Sequence, residues 1–337
     1  MNKMSLKLLF GFSTLMLLAI SCAKPANDNE VLTTAHVYIA GTIRDSATIW
    51  IDSLEIRLPM QGVYTRAQSI FVSGNDIYVA GSDVDFAVLW KNGIESTLGH
   101  SGTANSVFVS GNDVYVAGID SGYAVYWKNG IETRLQRTPG RDRGYANSIF
   151  VSGSQVYVAG SLYPPATNIQ NGIATYWKNN TPVELVADSI FSMANSIFVI
   201  DTNIYISGMI SHSGFQATYW RNGTATRLAM TSSTANSIYV VGSDIYIAGS
   251  EYLNGTYINT FWTNGVANHL SPGELRTDAN SIFVFGKDVY IAGVEQNFGS
   301  SSATWWKNGK STTIGPLGEN NYYINHMTST ANSIFVK

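Results

Sequence analysis

Ala104-Asn-Ser-Val-Phe-Val-Ser-Gly-Asn-Asp-Val-Tyr-Val-Ala-Gly118 recurs along the chain almost letter for letter. Copies begin at Ala67, Ala146, Ala194, Ala235 and Ala279, and a short copy, Ala331-Asn-Ser-Ile-Phe-Val-Lys337, closes the sequence. In every complete copy Ala and Gly keep one spacing, as in Ala67 to Gly81 and Ala279 to Gly293, so the variation in repeat length falls elsewhere. A repeat of this kind is one supersecondary unit that buries its apolar surface by stacking on its neighbours.

Each period reads as four short strands. Ser-Ile-Phe-Val is the first, followed by a two-residue turn at Gly74-Asn75, Gly111-Asn112, Gly153-Ser154, Gly242-Ser243 or Gly286-Lys287. Glycine supplies the positive φ that a type II′ hairpin needs at its first central position. Asp201-Thr202 departs from this pattern and suggests a different turn there. Val-Tyr-Val-Ala-Gly is the second strand. The third ends in Trp90, Trp127, Trp177, Trp220, Trp262 or Trp306, and Asn-Gly follows at 92–93, 129–130, 222–223, 264–265 and 308–309. Asn-Gly is the strongest short hairpin signal; Asn179-Asn180 replaces it once. The fourth strand alternates polar and apolar, as in Ile131-Glu-Thr-Arg-Leu135.

Strands one and two are apolar at nearly every position, which suits strands covered on both faces. Strand four suits a half-exposed edge. The order from inside to outside is therefore one to four. Such sheets, repeated radially and packed face to face, make a β-propeller, whereas a parallel β-helix has no need of two tight hairpins per period. Residues 36–66 hold His36-Val-Tyr-Ile-Ala-Gly41, Ala47-Thr-Ile-Trp50 and Leu54-Glu-Ile-Arg-Leu58, a repeat without its first strand; residues 331–337 are a first strand without the rest. Together they complete a blade. The expectation is an all-β, seven-bladed β-propeller over 36–337 with four antiparallel strands per blade, the last blade closed by the N- and C-terminal strands.

Composition agrees with an all-β chain rich in turns: 31 Gly and 19 Tyr against only 13% charged residues. The formal net charge of −3 gives no basic footprint for nucleic acid. Residues 1–21 carry Lys3 and Lys7 and then an apolar run from Leu8 to Ile20, which reads as a secretory leader. Ser21-Cys22 follows, and Cys22 is the only cysteine. Here the chain resembles a bacterial lipoprotein precursor, with Ala19 where Leu is usual. That resemblance implies lipidation at Cys22, a polar lipidated tether over 22–35, and a place in the bacterial envelope at the outer membrane.

Geometry sorts the connections. Both tight turns fall on one rim, and the connections from strand two to three and from strand four to the next blade fall on the other. The longest are Ser161–Ile173, with Tyr163, and Gly315–Thr330, with Tyr322, Tyr323 and His326; Gln136–Tyr145 adds Arg137, Arg141, Arg143 and Tyr145. Ser250–Ile258 and Val294–Ser302 read as further variable loops. Variable loops on a rigid scaffold are where recognition usually sits, so Tyr163, Tyr322, Tyr323 and Arg141 are ligand-binding candidates.

The amides Asn105, Asn147, Asn195, Asn236, Asn280 and Asn332, with Gln68 in their place once, stand where the chain enters the innermost strand. They are candidates for a polar collar on the axis that takes a sugar, a water chain or a cation. The structural reading, favoured over it, has each amide bonding backbone where blades meet. The Trp series, with Trp50 as its seventh member, is read as packing between blades rather than sugar stacking. Asp76, Asp113, Asp244 and Asp288, with Gln155, Asn203 and His36 in the same place, read as turn stabilisers. The five histidines show no metal-ligand spacing, and no phosphate loop, dinucleotide fingerprint or serine elbow occurs. No catalytic residue, metal or cofactor is expected, although Glu251, Glu295, Arg137 and Arg141 could in principle meet in a composite site.

The pattern Ala-x-x-Trp-Lys-Asn-Gly followed by Ala-Asn-Ser-Ile-x-Val-x-Gly-x-Asp-Val-Tyr-Val-Ala-Gly resembles the HAF-type extracellular repeats of bacterial secreted proteins. It is similar, more loosely, to Kelch-like propellers, without their Gly-Gly doublet. The resemblance implies a propeller in an envelope or extracellular setting and carries no catalytic residue. The expected function is a monomeric, lipid-anchored binding or scaffold module whose variable rim takes a glycan or a protein partner. An envelope hydrolase or lyase and a purely structural display module are the alternatives.

Overall fold

A computed structural model describes residues 35–165, 171–185, 191–211, 214–270, 277–297, 300–315 and 328–337. All their regular structure is β: seven sheets of four antiparallel strands. Blades 1 to 6 span residues 65–99, 102–134, 143–184, 191–227, 233–269 and 277–313. Blade 7 is composite and runs Ser329–Val336, Val37–Ile43, Ser46–Ile51, Leu54–Arg57 from inside to outside. The last strand pairs with the first from Val37↔Val336 to Ile43↔Ser329. His36 N to Lys337 O at 2.8 Å and Lys337 N to His36 O at 3.0 Å extend that seam. The innermost strands touch in turn around a closed circle. The chain is a seven-bladed β-propeller.

The repeated motif explains itself at one irregularity. Each inner strand carries a β-bulge between the motif's Ala and Ser, for example Ala104/Ser106 opposite Gly118 and Ala117. Asn105 is the extra residue. The bulge drives the preceding carbonyl into the second strand, where only glycine fits. A Cβ on Gly118 would lie 2.1 Å from Thr103 O, and one on Gly160 1.8 Å from Tyr145 O. The final Gly of Val-Tyr-Val-Ala-Gly is thus the partner of the bulge, a standard use of strand glycine.

The turns follow the sequence closely. Gly74, Gly111, Gly153, Gly242 and Gly286 have φ from 57° to 61°. Asp201 departs less than its sequence suggests: it adopts φ 54° at the same place. Asn92-Gly93 has φ of 52° and 79°, the two positive values of a type I′ turn, and Asn179-Asn180 reproduces them at 49° and 70°. The two turns of a blade are tied together. Asn92 Oδ1 accepts Ile77 N–H at 2.8 Å while its Nδ2 donates to Asp76 Oδ1 at 2.7 Å.

Between blades the core is apolar. Trp50, Trp90, Trp127, Trp177, Trp220, Trp262 and Trp306 are fully buried. Trp90 packs with Ala40, Ile49 and Leu58 of blade 7, and Trp127 with Tyr78 and Ala80 of blade 1. Each buries enough area for roughly 4–6 kcal/mol of gross hydrophobic stabilisation. The outermost strands are exposed, Lys310–Thr313 and Thr224–Arg227 throughout.

Candidate functional site

The amides on the axis are bound to neighbouring blades. Asn105 Nδ2 donates to Ala146 O at 2.9 Å, Asn147 to Ala194 O at 2.9 Å, Asn195 to Ala235 O at 3.0 Å, Asn236 to Ala279 O at 3.0 Å, Asn280 to Ala331 O at 3.0 Å and Asn332 to Ala67 O at 2.9 Å. Gln68 occupies the bulge of blade 1. The motif serines run a second circle. Ser69 Oγ accepts Val107 N–H at 3.1 Å, and the series closes where Ser333 Oγ accepts Ile70 N–H at 3.2 Å. Ala-Asn-Ser is therefore a blade-to-blade fastener, each bond contributing about 1 kcal/mol net.

Beside it lies a feature that the sequence reading missed. Phe71, Phe108, Phe150, Phe198, Tyr239, Phe283 and Phe335 form an unbroken ring of aromatics, with centroids 4.8 to 5.1 Å apart and planes tilted by 47° to 54°. That tilt matches the turn of about 51° between adjacent blades of a seven-fold ring. The signal was present: one aromatic at a fixed place in every copy. Burial holds the Tyr239 phenol above its ordinary pKa.

The variable rim is more regular than its sequence implies. Ser250–Ile258 and Val294–Ser302 are largely strand: Asp244–Leu253 and Thr256–Thr263 meet at the turn Asn254-Gly255, and Asp288–Asn297 pairs with Ser300–Lys307. Arg143 and Tyr145 lie in the inner strand Arg143–Ser152, and Tyr163 ends the strand Gln155–Tyr163, where it is buried. Tyr322, Tyr323, His326 and Cys22 lie outside the described residues.

Over blades 3 and 4 the rim carries a chain of aromatic rings. Tyr145 meets Tyr163 edge-on at 5.2 Å, Tyr163 meets Phe191 at 6.4 Å, and Phe191 meets Phe215 at 5.9 Å. The terminal rings are open to solvent, Tyr145 at 41% and Phe215 at 45%. Gly172 makes room for the middle of the chain: a Cβ there would stand 2.6 Å from Tyr163 Cε1 and 3.0 Å from Phe191 Cε2.

Next to this chain, between blades 2 and 3, is a cleft of about 590 Å³ lined by Tyr123 and residues 134–141. The guanidiniums of Arg134 and Arg137 lie 4.6 and 5.2 Å from the Tyr123 ring centre. Arg137 Nη1 donates to Asp142 O at 2.6 Å. Arg141 Nε is 3.6 Å from Glu184 Oε1, and its Nη1 donates to Asn171 O at 3.2 Å. Thr138 Oγ1 donates to Glu184 Oε1. The loop is pinned at its start, where Gln136 N–H donates to Asn180 Oδ1 at 2.8 Å and Gln136 O accepts Trp177 Nε1–H at 2.6 Å.

The opposite rim is a row of satisfied turns. Lys91 Nζ to Asp76, Lys128 Nζ to Asp113 and Lys307 Nζ to Asp288 span 2.8, 2.8 and 2.7 Å. The lysine bonds, with help from Asn92, Asn129 and Asn308, hold these carboxyls below their usual pKa.

The residues considered for a composite catalytic site do not meet. Arg137 and Arg141 share the cleft, but Glu251 belongs to blade 5, where it accepts from Thr231 Oγ1 at 3.0 Å, and Glu295 to blade 6. In blade 1, burial and the nearby Asp83 push Glu95 above its ordinary pKa. Asp83 is committed to backbone, its Oδ2 accepting Gln61 N–H at 2.7 Å and its Oδ1 accepting Gly62 N–H at 3.0 Å. Among the described residues no group of three His, Cys, Asp or Glu is placed to hold a metal, and no helix is long and apolar enough to cross a membrane.

No family model and no curated protein matches the chain. Solved structures do. An acylaminoacyl peptidase from Pyrococcus horikoshii superposes with a TM-score of 0.50 at 9% identity, over 84% of this chain and 51% of that one. This chain thus spans about half the length of that peptidase. The β-propeller domain of the Trilobed protease from Pyrococcus furiosus gives 0.49 at 10% identity, over 85% and 95%. A Nidogen/Laminin complex gives 0.40 at 10% identity, over 67% and 88%. The likeness is one of fold alone.

Proposed function

We propose that this propeller is a lipid-anchored binding module of the bacterial envelope, related to HAF-type repeat proteins, that recognises a glycan on the rim over blades 3 and 4. The observation that carries the reading is the chain Tyr145–Tyr163–Phe191–Phe215, whose two ends are open to solvent. The C–H faces of sugar rings are apolar and stack on aromatic rings held in a fixed orientation. Packing around Gly172 fixes the inner two rings before any ligand arrives, which lowers the ordering cost of binding. Cys22 and the polar residues behind it support the anchor, which would tether the propeller to a membrane. Among the described residues the cleft beside the chain is lined by Tyr123 and arginines, a surface suited to binding.

A glycan array probed with the purified protein tests this directly. Bound oligosaccharides are expected, and Tyr145→Ala with Phe215→Ala should abolish their signal without lowering the melting temperature. An array without signal, or signal indifferent to both substitutions, contradicts the proposal and turns attention to protein partners.

A further inference from the structure

We infer that the cleft between blades 2 and 3 takes the oxyanion of an acidic sugar, so that the rim ligand is an anionic oligosaccharide bearing carboxylate or sulfate groups. This deepens the glycan reading above and rests on it.

Among the described residues, the lining of the cleft contains three arginines and no acidic residue, in a chain whose net charge is −3. Of the nearby carboxylates, Glu184 is engaged with Arg141 and Thr138 and Glu132 with Arg134 Nε at 3.3 Å, while Asp142, beside Arg141, keeps a buried Oδ1 without a hydrogen-bond partner. Arg137 makes no ion pair among the described residues; its one hydrogen bond goes to a backbone carbonyl. A guanidinium has five N–H donors, so Arg137 keeps donors for a ligand. The Tyr123 ring lies against both the Arg134 and Arg137 guanidiniums, which narrows where the two can sit before a ligand arrives. Planar forks held in this way suit bidentate bonding to carboxylate or sulfate oxygens.

The cleft and the aromatic chain share a wall. Arg141 donates to Asn171 O, and the adjacent Gly172 packs against Tyr163 and Phe191. Arg143, two residues beyond Arg141, pairs in register with Tyr163. One oligosaccharide can therefore stack on the rings while its acidic substituent reaches the guanidiniums. The net charge of −3 opposes unspecific attachment of such a ligand, so the guanidiniums of the cleft set where it binds.

The test is calorimetric titration of the protein with three oligosaccharides of equal length: neutral, uronate-bearing and sulfated. At least one acidic set should bind about tenfold more tightly than the neutral one and weaken as salt rises, since screening acts on the ion pairs. The two acidic arms identify which oxyanion fits. Arg137→Gln should remove that preference, about a tenfold loss for the acidic ligand, and leave neutral binding and melting temperature unchanged. Tyr145→Ala should weaken both. Equal binding of neutral and acidic sugars, or a preference that survives in both Arg137→Gln and Arg134→Gln, overturns the inference and leaves the glycan reading standing. Binding of none of the three sinks both.

Discussion

The side-chain amide of Asn332 donates to the carbonyl of Ala67, 265 residues earlier in the chain, at 2.9 Å. This bond ties blade 7 to blade 1, and five identical bonds tie the other blades that carry Asn. The closing blade is therefore held by the same device as the other blades that carry Asn. Replacing Asn332 by Ala removes one donor and leaves a carbonyl without its partner. The expected cost is about 1–3 kcal/mol, read as a fall of a few degrees in melting temperature. Asn147→Ala should cost about the same.

Gly118 faces Thr103 O across the bulge, with room for hydrogen only. Gly118→Ala forces backbone apart within a buried sheet and should cost roughly 3–5 kcal/mol, at the severe end for a single substitution. Gly130→Ala is a control of another kind. A Cβ there meets nothing within 4 Å, and only the φ of 80° opposes it. Chemical denaturation of the two variants should separate steric collision from the smaller cost, about 1–2 kcal/mol, of a left-handed backbone.

Asn180 stands where five other blades have glycine, and the structure gives a reason. Its Oδ1 accepts Gln136 N–H at the start of the cleft loop. Asn180→Gly keeps a turn that tolerates glycine at φ 70° but frees the loop. Stability should change by less than about 1 kcal/mol, while hydrogen exchange across residues 136–142 quickens and affinity for an acidic ligand falls.

Glu95 has a raised pKa from burial and from Asp83. A carboxyl raised in the folded state binds protons more tightly than in the unfolded chain, so its contribution is most favourable at low pH and is lost as pH rises through the folded value. Glu95→Gln keeps an acceptor for Trp90 Nε1, now 3.1 Å from Glu95 Oε2. The variant should melt higher than the parent at pH 7 and equal to it near pH 4. An advantage that grows on acidification would contradict this assignment.

The fold was legible because every decision is local and repeated. Asn92-Gly93 and Gly74-Asn75 specify turns within a few residues, Trp90 marks the third strand, and the fragments at 36–66 and 331–337 add up to one blade. The axial amides were legible as a pattern, and the bonds from Asn105 to Ala146 and its counterparts supply the geometry that spacing alone lacks. What depends on distant pairing was missed. The ring from Phe71 to Phe335 needs seven inner strands in one register. Tyr252 and Glu251 read as loop because polar residues there interrupt the apolar pattern, although backbone pairing with Tyr257 and Ile258 extends the strand. The cleft joins Tyr123, Arg137 and Arg141, and no local periodicity links them.

Closure of the ring holds the rim in place, and removing its inner seam tests that most directly. A chain ending at Thr330 lacks the strand that pairs with Val37–Ile43, the Asn332 bond to Ala67 and the seventh ring of the collar. Thermal unfolding followed by near-ultraviolet circular dichroism should show loss of cooperative melting or a midpoint lower by more than about 10 °C, from several kcal/mol of lost packing and hydrogen bonding. A shortened chain that melts at the same temperature and with the same cooperativity as the intact protein would contradict the account.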